Sequence, residues 1–322
     1  MRAADDDGRQ ARPSPGLRAL LIAGPTASGK SAAALELARL FDATIVNADS
    51  MQVYRDLRLL TARPTARDEA WAPHALFGVI DGAVNYSVGQ WLVEASRIAE
   101  RAFAEGRPVI FVGGSGLYFR ALTEGLADAP AVPPAVRAAV REGAQGRPTT
   151  ALHEALKAVD PATAARLQPN DRQRVLRALE IFEASGASLA AVQAADVTPF
   201  LKRGEWAGLF LAPERAELDE RINARFDAML AAGALEEAAA LAARRLAPDL
   251  PVMRALGAPQ LLAHLAGEAT LEEAALRAKL ETRRYSKRQF TWARHHMPAF
   301  RWVKPAEAVA IAATAFERLA GD

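Results

Sequence analysis

Three features of this chain predict an α/β fold, a parallel sheet flanked by helices and interrupted by an inserted all-helical domain. An apolar run passes through a glycine-rich loop straight into a helix-forming stretch near residue 24. Short apolar runs then alternate with helical patterns as far as residue 127. Residues 128–200 carry helical patterns alone, broken by prolines, before another apolar run resumes the sheet. Such alternation marks parallel strands joined by crossover helices.

The first strand is Ala19-Leu20-Leu21-Ile22-Ala23, and the first helix contains Ala32-Ala33-Ala34-Leu35-Glu36-Leu37-Ala38. Between them Gly24-Pro25-Thr26-Ala27-Ser28-Gly29-Lys30-Ser31 has the spacing G-x-x-x-x-G-K-[ST] of a phosphate loop. Its glycines let the backbone curl until successive N–H groups converge on phosphate oxygens. The positive end of the following helix adds favourable field. Lys30 supplies a point charge, and the Ser31 hydroxyl can reach a phosphate or a bound magnesium. The loop predicts binding of a di- or triphosphate without saying which.

Ala43-Thr44-Ile45-Val46-Asn47 reads as a second strand, ending in the polar cluster Ala48-Asp49-Ser50-Met51-Gln52-Val53-Tyr54-Arg55. Open parallel sheets hold ligands at the carboxyl ends of their strands, so this cluster is expected beside the phosphate loop. Asp49 there can act as a general base, ligate magnesium or cap the next helix. Leu76 to Ile80 is expected as a short strand, and Val88 to Glu105 as a helix with Trp91, Leu92, Ala95, Ile98, Ala99 and Ala102 on one face. Pro108-Val109-Ile110-Phe111-Val112 has the continuous apolar character of a strand buried on both faces. It stops at Gly113-Gly114-Ser115-Gly116-Leu117-Tyr118. Many phosphate-loop hydrolases and kinases keep an acidic magnesium holder at that point. Two glycines there fit a tight turn into a helix, or close backbone approach to a bulky substrate.

Pro130, Pro133 and Pro134 open the insertion. Its expected helices are Ala135 to Glu142, Thr149 to Val159, Ala162 to Leu167 and Asp171 to Ala184, the last closed by Gly186. The sheet returns at Trp206 to Leu211, followed by helices from Glu214 to Leu230, after Gly233, and from Leu271 to about His296. The expected organisation is a flexible tail over 1–16, a first core segment over 17–127, the insertion over 128–200 and a second core segment over 201–322.

The 322 residues are half apolar, carry a formal net charge of +2 and contain no cysteine. Disulfides and thiolate metal sites are therefore excluded, and a reducing cytosol causes no conflict. The polar start lacks an apolar signal core, and no run approaches the roughly 18 apolar residues of a membrane helix. The expected location is the cytoplasm.

Charge is concentrated more than the net value suggests. Gln173, Arg174 and Arg177 share one helical stretch, and Arg221 and Arg225 lie one turn apart. Arginine forks suit pyrophosphate, although ion pairing with Asp219 or Glu220 also accounts for this pair. The last long helix carries Arg277, Lys279, Arg283, Arg284, Lys287, Arg288 and Arg294 with Tyr285, Phe290 and Trp292 interleaved. Cations that track a backbone and rings that pack on bases make this a candidate nucleic-acid face. His295-His296 has no partners at metal-ligand spacing.

Taken together these stretches resemble the tRNA dimethylallyltransferase (bacterial tRNA isopentenyltransferase) family, from about Leu17 to Trp302. The ordered series is GPTASGKS at 24–31, ADSMQVYR at 48–55, TARP at 61–64, VGGSGLYFRAL at 112–122, NDRQRVLRALEIFEASG at 170–186, RINARF at 221–226, MRALG at 253–257 and TRRYSKRQFTW at 282–292. The resemblance implies a P-loop NTPase-like core and an inserted helical domain that contacts the anticodon arm. It also implies dependence on Mg2+ and action as a monomer. The implied reaction moves a dimethylallyl group from dimethylallyl diphosphate to the N6 amine of the adenine just 3′ of the anticodon, in tRNAs reading codons that begin with U. By the family pattern Asp49 is the general base, while Ser31 and Arg225 hold the pyrophosphate. Asp49, Ser50, Met51, Gln52, Ser115, Arg137, Gln173, Arg174, Arg177, Arg254, Gly257, Thr282, Arg283, Arg284, Lys287, Arg288 and Gln289 match tRNA-contacting positions. The chain departs from the pattern at Leu60, where glycine is usual, at Ser115, where threonine is, and at Ala258-Pro259, where an aromatic and a polar residue are common. Two other readings share some of these features: a kinase of a nucleotide or small metabolite, and an RNA-binding protein without turnover.

Overall fold

A computed structural model of the chain describes residues 16–194 and 196–320. The expected flexible tail, apart from its last residue, lies outside the described residues. The chain divides into two compact units, one of residues 1–123 with 200–322 and one of residues 124–199.

The first unit begins with β1 (Ala19–Ala23), α1 (Lys30–Phe41) and β2 (Thr44–Asn47). Then come α2 (Ala66–Trp71), β3 (His74–Ala75), α3 (Val88–Ala104), β4 (Val109–Gly113) and α4 (Gly116–Glu124). The inserted unit holds α5 (Pro134–Gly143), α6 (Thr149–Val159), α7 (Pro161–Ala164), α8 (Arg172–Ser185) and α9 (Leu189–Gln193). The first unit resumes with β5 (Trp206–Leu211), α10 (Arg215–Ala231), α11 (Ala234–Ala243), α12 (Ala258–Leu265), α13 (Leu271–His296), β6 (Arg301–Val303) and α14 (Ala308–Ala320).

All six strands pair in parallel, in the order β3-β2-β4-β1-β5-β6. β1 is central and wholly buried, which is why its sequence is apolar at every position instead of alternating. Its side chains still divide by the period of two. Ala19, Leu21 and Ala23 join Val109, Phe111 and Trp91 on one face, where α3, α4 and α13 pack. Leu20 and Ile22 join Ile110 and Val112 on the other, against Leu37 of α1 and Ala312 of α14. Successive strands on either side of β1 run from opposite neighbours, so a crevice opens at its carboxyl end, where the phosphate loop sits.

The expected strand over 76–80 is not a sheet strand. Leu76 and Gly78 have φ of 63° each, which breaks extended backbone, and pairing with β2 ends at Ala75. Ile80 keeps only an isolated parallel bridge to Tyr54. The expected helix over 162–167 is a single turn, α7, started by Pro161 and capped by the Asp160 carboxylate. Both ends of α8 follow the sequence signals: Asp171 caps its start, and Gly186 ends it at φ 68°. A capping box between Thr270 and Glu273 starts α13, and one between Ser87 and Gln90 starts α3. The inserted unit has its own core of Leu152, Leu156, Val175 and Ala178.

Candidate active site

The loop between β1 and α1 is shaped by two left-handed residues, Ala27 at φ 62° and Gly29 at φ 88°. Gly24 is tight: a Cβ there would lie 2.8 Å from Ser28 Oγ and 3.0 Å from the Leu211 carbonyl. The start of α1 carries no side-chain cap and no acid in its first turn, so its N–H groups and positive dipole end are left to the loop. Ser28 is fully buried, and its hydroxyl has no hydrogen-bond partner. Lys30 is buried too, its ammonium donating to the Pro25 carbonyl at 3.1 Å. Burial lowers its pKa to about 8; the Asp49 charge opposes that shift, and the Arg225 charge adds to it. A buried ammonium that meets only a carbonyl and a buried hydroxyl without a protein partner are donors suited to an anion. The Ser31 hydroxyl is exposed on the first turn of α1.

The polar loop after β2 presents Asp49 through a local turn. Asn47, fully buried, accepts from the Asp49 N–H at 2.8 Å and donates to the carbonyls of Asp49 and Leu76. Asp49 Oδ1 accepts from the Met51 N–H at 3.0 Å. Asp49 Oδ2 makes no hydrogen bond within the protein and lies beside Gly114, where a Cβ would stand 3.3 Å away. One oxygen therefore shapes the turn while the other is free to take a proton. Ser50 N–H donates to Ser115 Oγ at 2.9 Å, tying this loop to the end of β4. Gln52 donates its amide to the carbonyls of Thr61 and Ala62.

Four further groups feel the charge of Asp49. Arg225 of α10 is half-buried; burial lowers its pKa and the Asp49 charge raises it back in part. A guanidinium keeps its charge through such a shift. Tyr118 and Tyr285 are phenols that burial and then the Asp49 charge push well above their ordinary pKa, so both remain neutral donors. Lys30 is the fourth. The other arginine of the pair, Arg221, forms an ion pair with Glu217 at 2.5 Å, not with the two acids beside it in sequence.

The glycines after β4 are explained by protein contacts. A Cβ on Gly113 would lie 2.0 Å from the Ala48 carbonyl oxygen, and one on Gly116 would lie 2.0 Å from the Trp292 ring. A Cβ on Gly114 would lie 2.4 Å from Gln289 Nε2. Gln289 itself is buried, accepting from the Thr26 N–H at 3.2 Å and donating to the Gly114 carbonyl at 3.0 Å. The expected close approach at this turn is thus made by α13 and the Asp49 loop.

On α13 Phe290 parts from the cations, while Arg288 lies over the Tyr285 ring. Arg284, Lys287 and Arg288 are exposed, whereas Phe290 packs on Phe210 and Trp302 in the core. Lys279 leaves the candidate RNA face: it pairs with Asp227 at 2.6 Å and is only 19% exposed. Two grooves flank the Lys287–Thr291 ridge. One of about 670 Å³ has Leu218, Phe290 and Trp302 on its apolar side and Arg283, Lys287 and Arg294 on its basic side. The other, of about 480 Å³, is lined by Arg288, Trp292 and His296. Thr282 donates to the Ala278 carbonyl within the helix.

Within the inserted unit, Arg137, Arg141 and Arg177 converge on Glu180, at 3.8, 2.9 and 3.8 Å, and that carboxylate is 3% exposed. Gln173 and Arg174 are exposed on the same helix as Arg177. Arg254 is exposed after α11, and Gly257 starts α12 at φ 88°, against Phe226 and Leu60. Leu60 fills the space beside Gly257, and Ala258 and Pro259 form the first turn of α12. No sequence signal links Tyr118 or Tyr285 to the charge of Asp49. Asn47 does have a visible signal, a polar residue closing a β-branched run.

Among the described residues no cluster of three or more His, Cys, Asp or Glu side chains is placed to hold a metal, and no helix is long and apolar enough to cross a membrane.

Comparison with known proteins agrees with this geometry. The family model described as IPP transferase matches residues 52–296, and one described as isopentenyl transferase matches residues 17–70. A tRNA dimethylallyltransferase of Beijerinckia indica is 58% identical over 290 residues, covering 90% of this chain and 96% of the relative. One of Methylocella silvestris is 56% identical over 294 residues, covering 91% and 97%. Among solved structures, the tRNA isopentenylpyrophosphate transferase of Bacillus halodurans superimposes with a TM-score of 0.66 at 31% identity, over 94% of this chain and 98% of that one. A eukaryotic dimethylallyltransferase acting on tRNA superimposes with a TM-score of 0.75 at 25% identity, over 91% and 74%. A family model spanning most of the chain and relatives of this identity along nearly its whole length show that it belongs to the IPP transferase family, that of the tRNA dimethylallyltransferases.

Proposed function

We propose that this tRNA prenyltransferase takes dimethylallyl diphosphate as donor and the N6 amine of the adenine just 3′ of the anticodon as acceptor, in tRNAs reading U-starting codons. The observation that carries the reading is the free Oδ2 of Asp49 beside a phosphate loop whose buried lysine lacks a carboxylate partner.

The exocyclic amine of adenine is a poor nucleophile because its lone pair is delocalised into the ring. Extruding the base from the anticodon stack costs a few kcal/mol. In the transfer the amine nitrogen forms a bond to the allylic carbon while the bond from that carbon to the diphosphate oxygen breaks. The bonding pair leaves with the diphosphate, and the amine proton passes to Asp49 Oδ2. The loop N–H groups, Lys30 and Arg225 stabilise the charge that builds on the leaving group. The burial of Lys30 strengthens its interaction, since few waters compete.

Magnesium fits this donor set in one way. The exposed Ser31 hydroxyl can supply one ligand, and the absence of a carboxylate cluster among the described residues leaves the rest to diphosphate oxygens and water. Bound there, the ion would neutralise diphosphate charge. The cations of α13 support the tRNA as partner. Lack of cysteine accords with a cytoplasmic site of action, and we take the active species to be a monomer.

The test is incubation of the protein and tRNA with magnesium and either labelled dimethylallyl diphosphate or γ-labelled ATP. Prenyl label entering the anticodon-loop adenine supports the reading. Label passing from ATP to a small acceptor would establish the kinase instead, and binding without either transfer would leave an RNA-binding protein.

A further inference from the structure

The Gln289 carboxamide stands in an unusual place. It projects from α13, the helix that carries the cationic face, into the phosphate loop some 263 residues earlier in the chain. Its partners fix its orientation. The Thr26 N–H can only donate, so it faces Oε1 at 3.2 Å; the Gly114 carbonyl can only accept, so it faces Nε2 at 3.0 Å. Thr26 lies within the loop, and its N–H is a donor that an oxygen of a diphosphate bound there could take. That donor is engaged by the protein itself. A diphosphate oxygen and Gln289 Oε1 therefore compete for one hydrogen.

From this we propose that Gln289 is a positioning residue that gates the phosphate loop: its amide oxygen holds the Thr26 N–H and yields it when a diphosphate enters. The inference rests on the reading of the loop as a diphosphate site and adds a control to it. The site was built to admit this side chain, since any Cβ on Gly114 would strike its Nε2. The Gln289 side chain is largely buried, 9% exposed.

The competition has a sign. Gln289→Met keeps the length of the side chain and removes the acceptor, so the Thr26 N–H is free from the outset. Gln289→Glu keeps the acceptor, strengthens it with charge and sets a negative group against the incoming anion. Titration of the full-length protein with inorganic pyrophosphate and magnesium, followed by calorimetry, should show Q289M binding about fivefold tighter than wild type and Q289E weaker by at least as much. The KM for the prenyl donor should move in the same two directions. A general loosening of the site would weaken binding in both variants, so equal or weaker binding by Q289M overturns the gate. If Q289M does not fold, Q289E still decides: wild-type affinity in that variant would also overturn it. Failure of wild type to bind pyrophosphate at all is a different result, which removes the diphosphate reading and the gate with it.

Discussion

At Asp49 one carboxylate oxygen shapes the local turn, and the other is left for the proposed proton transfer. The residues alone allowed a cap, a metal ligand or a base at this position. Choosing among them needed the separate partners of Oδ1 and Oδ2, which no spacing reveals. The division yields a sharp expectation. Asp49→Asn keeps an Oδ1 acceptor for the Met51 N–H, so the turn survives, but it cannot accept the amine proton. Turnover should fall about 10²- to 10⁴-fold while tRNA and pyrophosphate binding persist, as single-turnover and binding measurements would show. Wild-type turnover in this variant would remove Asp49 from proton transfer. Lys30 allows a second expectation. Below its pKa of about 8 the ammonium is charged in both the free and the liganded protein, so it adds no pH dependence to anion binding. Above that value the free protein loses the proton, and an incoming anion must draw it back. Pyrophosphate affinity should therefore fall with rising pH above about 8, by up to tenfold per pH unit, and in Lys30→Met this component should vanish. An identical pH profile in the two proteins would mean that Lys30 does not titrate there.

At the scale of elements, α13 shows what a sequence can and cannot disclose. Its limits, Leu271 to about His296, were legible from the helical pattern, and its charge was legible by counting. Which cations face solvent was not, because that depends on the neighbours the tertiary fold supplies. Lys279 meets Asp227 from α10, and Phe290 turns into a ring cluster completed by β5 and β6. The two classes of lysine are separable by experiment. Lys287→Ala, alone or with Arg283→Ala, should raise the KM for tRNA and flatten the dependence of binding on salt, by about one unit of slope for each phosphate that is no longer neutralised. Lys279→Ala should leave that slope unchanged and lower thermal stability modestly, by about 0.5–1 kcal/mol for a partly exposed pair. Equal salt slopes in all three proteins would take the nucleic-acid face away from α13. The short elements escape sequence patterns for a related reason. β6 has only three residues, and β3 two, so each owes its conformation to the strand beside it.

Over the whole molecule, the strand order decides where chemistry can happen. β4 lies between β1 and β2, so the loop proposed to hold the diphosphate and the loop that carries Asp49 both end beside the same glycine turn. The alternation of apolar runs and helical patterns foretold a parallel sheet, and the buried run 109–112 foretold a central strand. The order of strands, and hence the meeting of these three loops, was not contained in any local pattern. Glycine substitutions test this arrangement directly. In Gly113→Ala the new methyl would lie 2.0 Å from the Ala48 carbonyl oxygen and 2.7 Å from the Asp49 amide nitrogen. Both are backbone atoms that cannot rotate away, so the ends of β2 and β4 must separate and carry Asp49 with them. The cost should be about 1–3 kcal/mol of stability, and kcat should fall at least about 100-fold because a base misplaced by about 1 Å loses its alignment. In Gly143→Ala, at the end of α5 in the inserted unit, the methyl meets nothing within 4 Å. There the replacement restricts the unfolded chain and should be neutral or stabilising by up to about 1 kcal/mol, with kcat unchanged. Thermal melts and steady-state kinetics on both variants separate the outcomes: a Gly113→Ala enzyme with wild-type kcat would show that the close approach of these loops does not position the base.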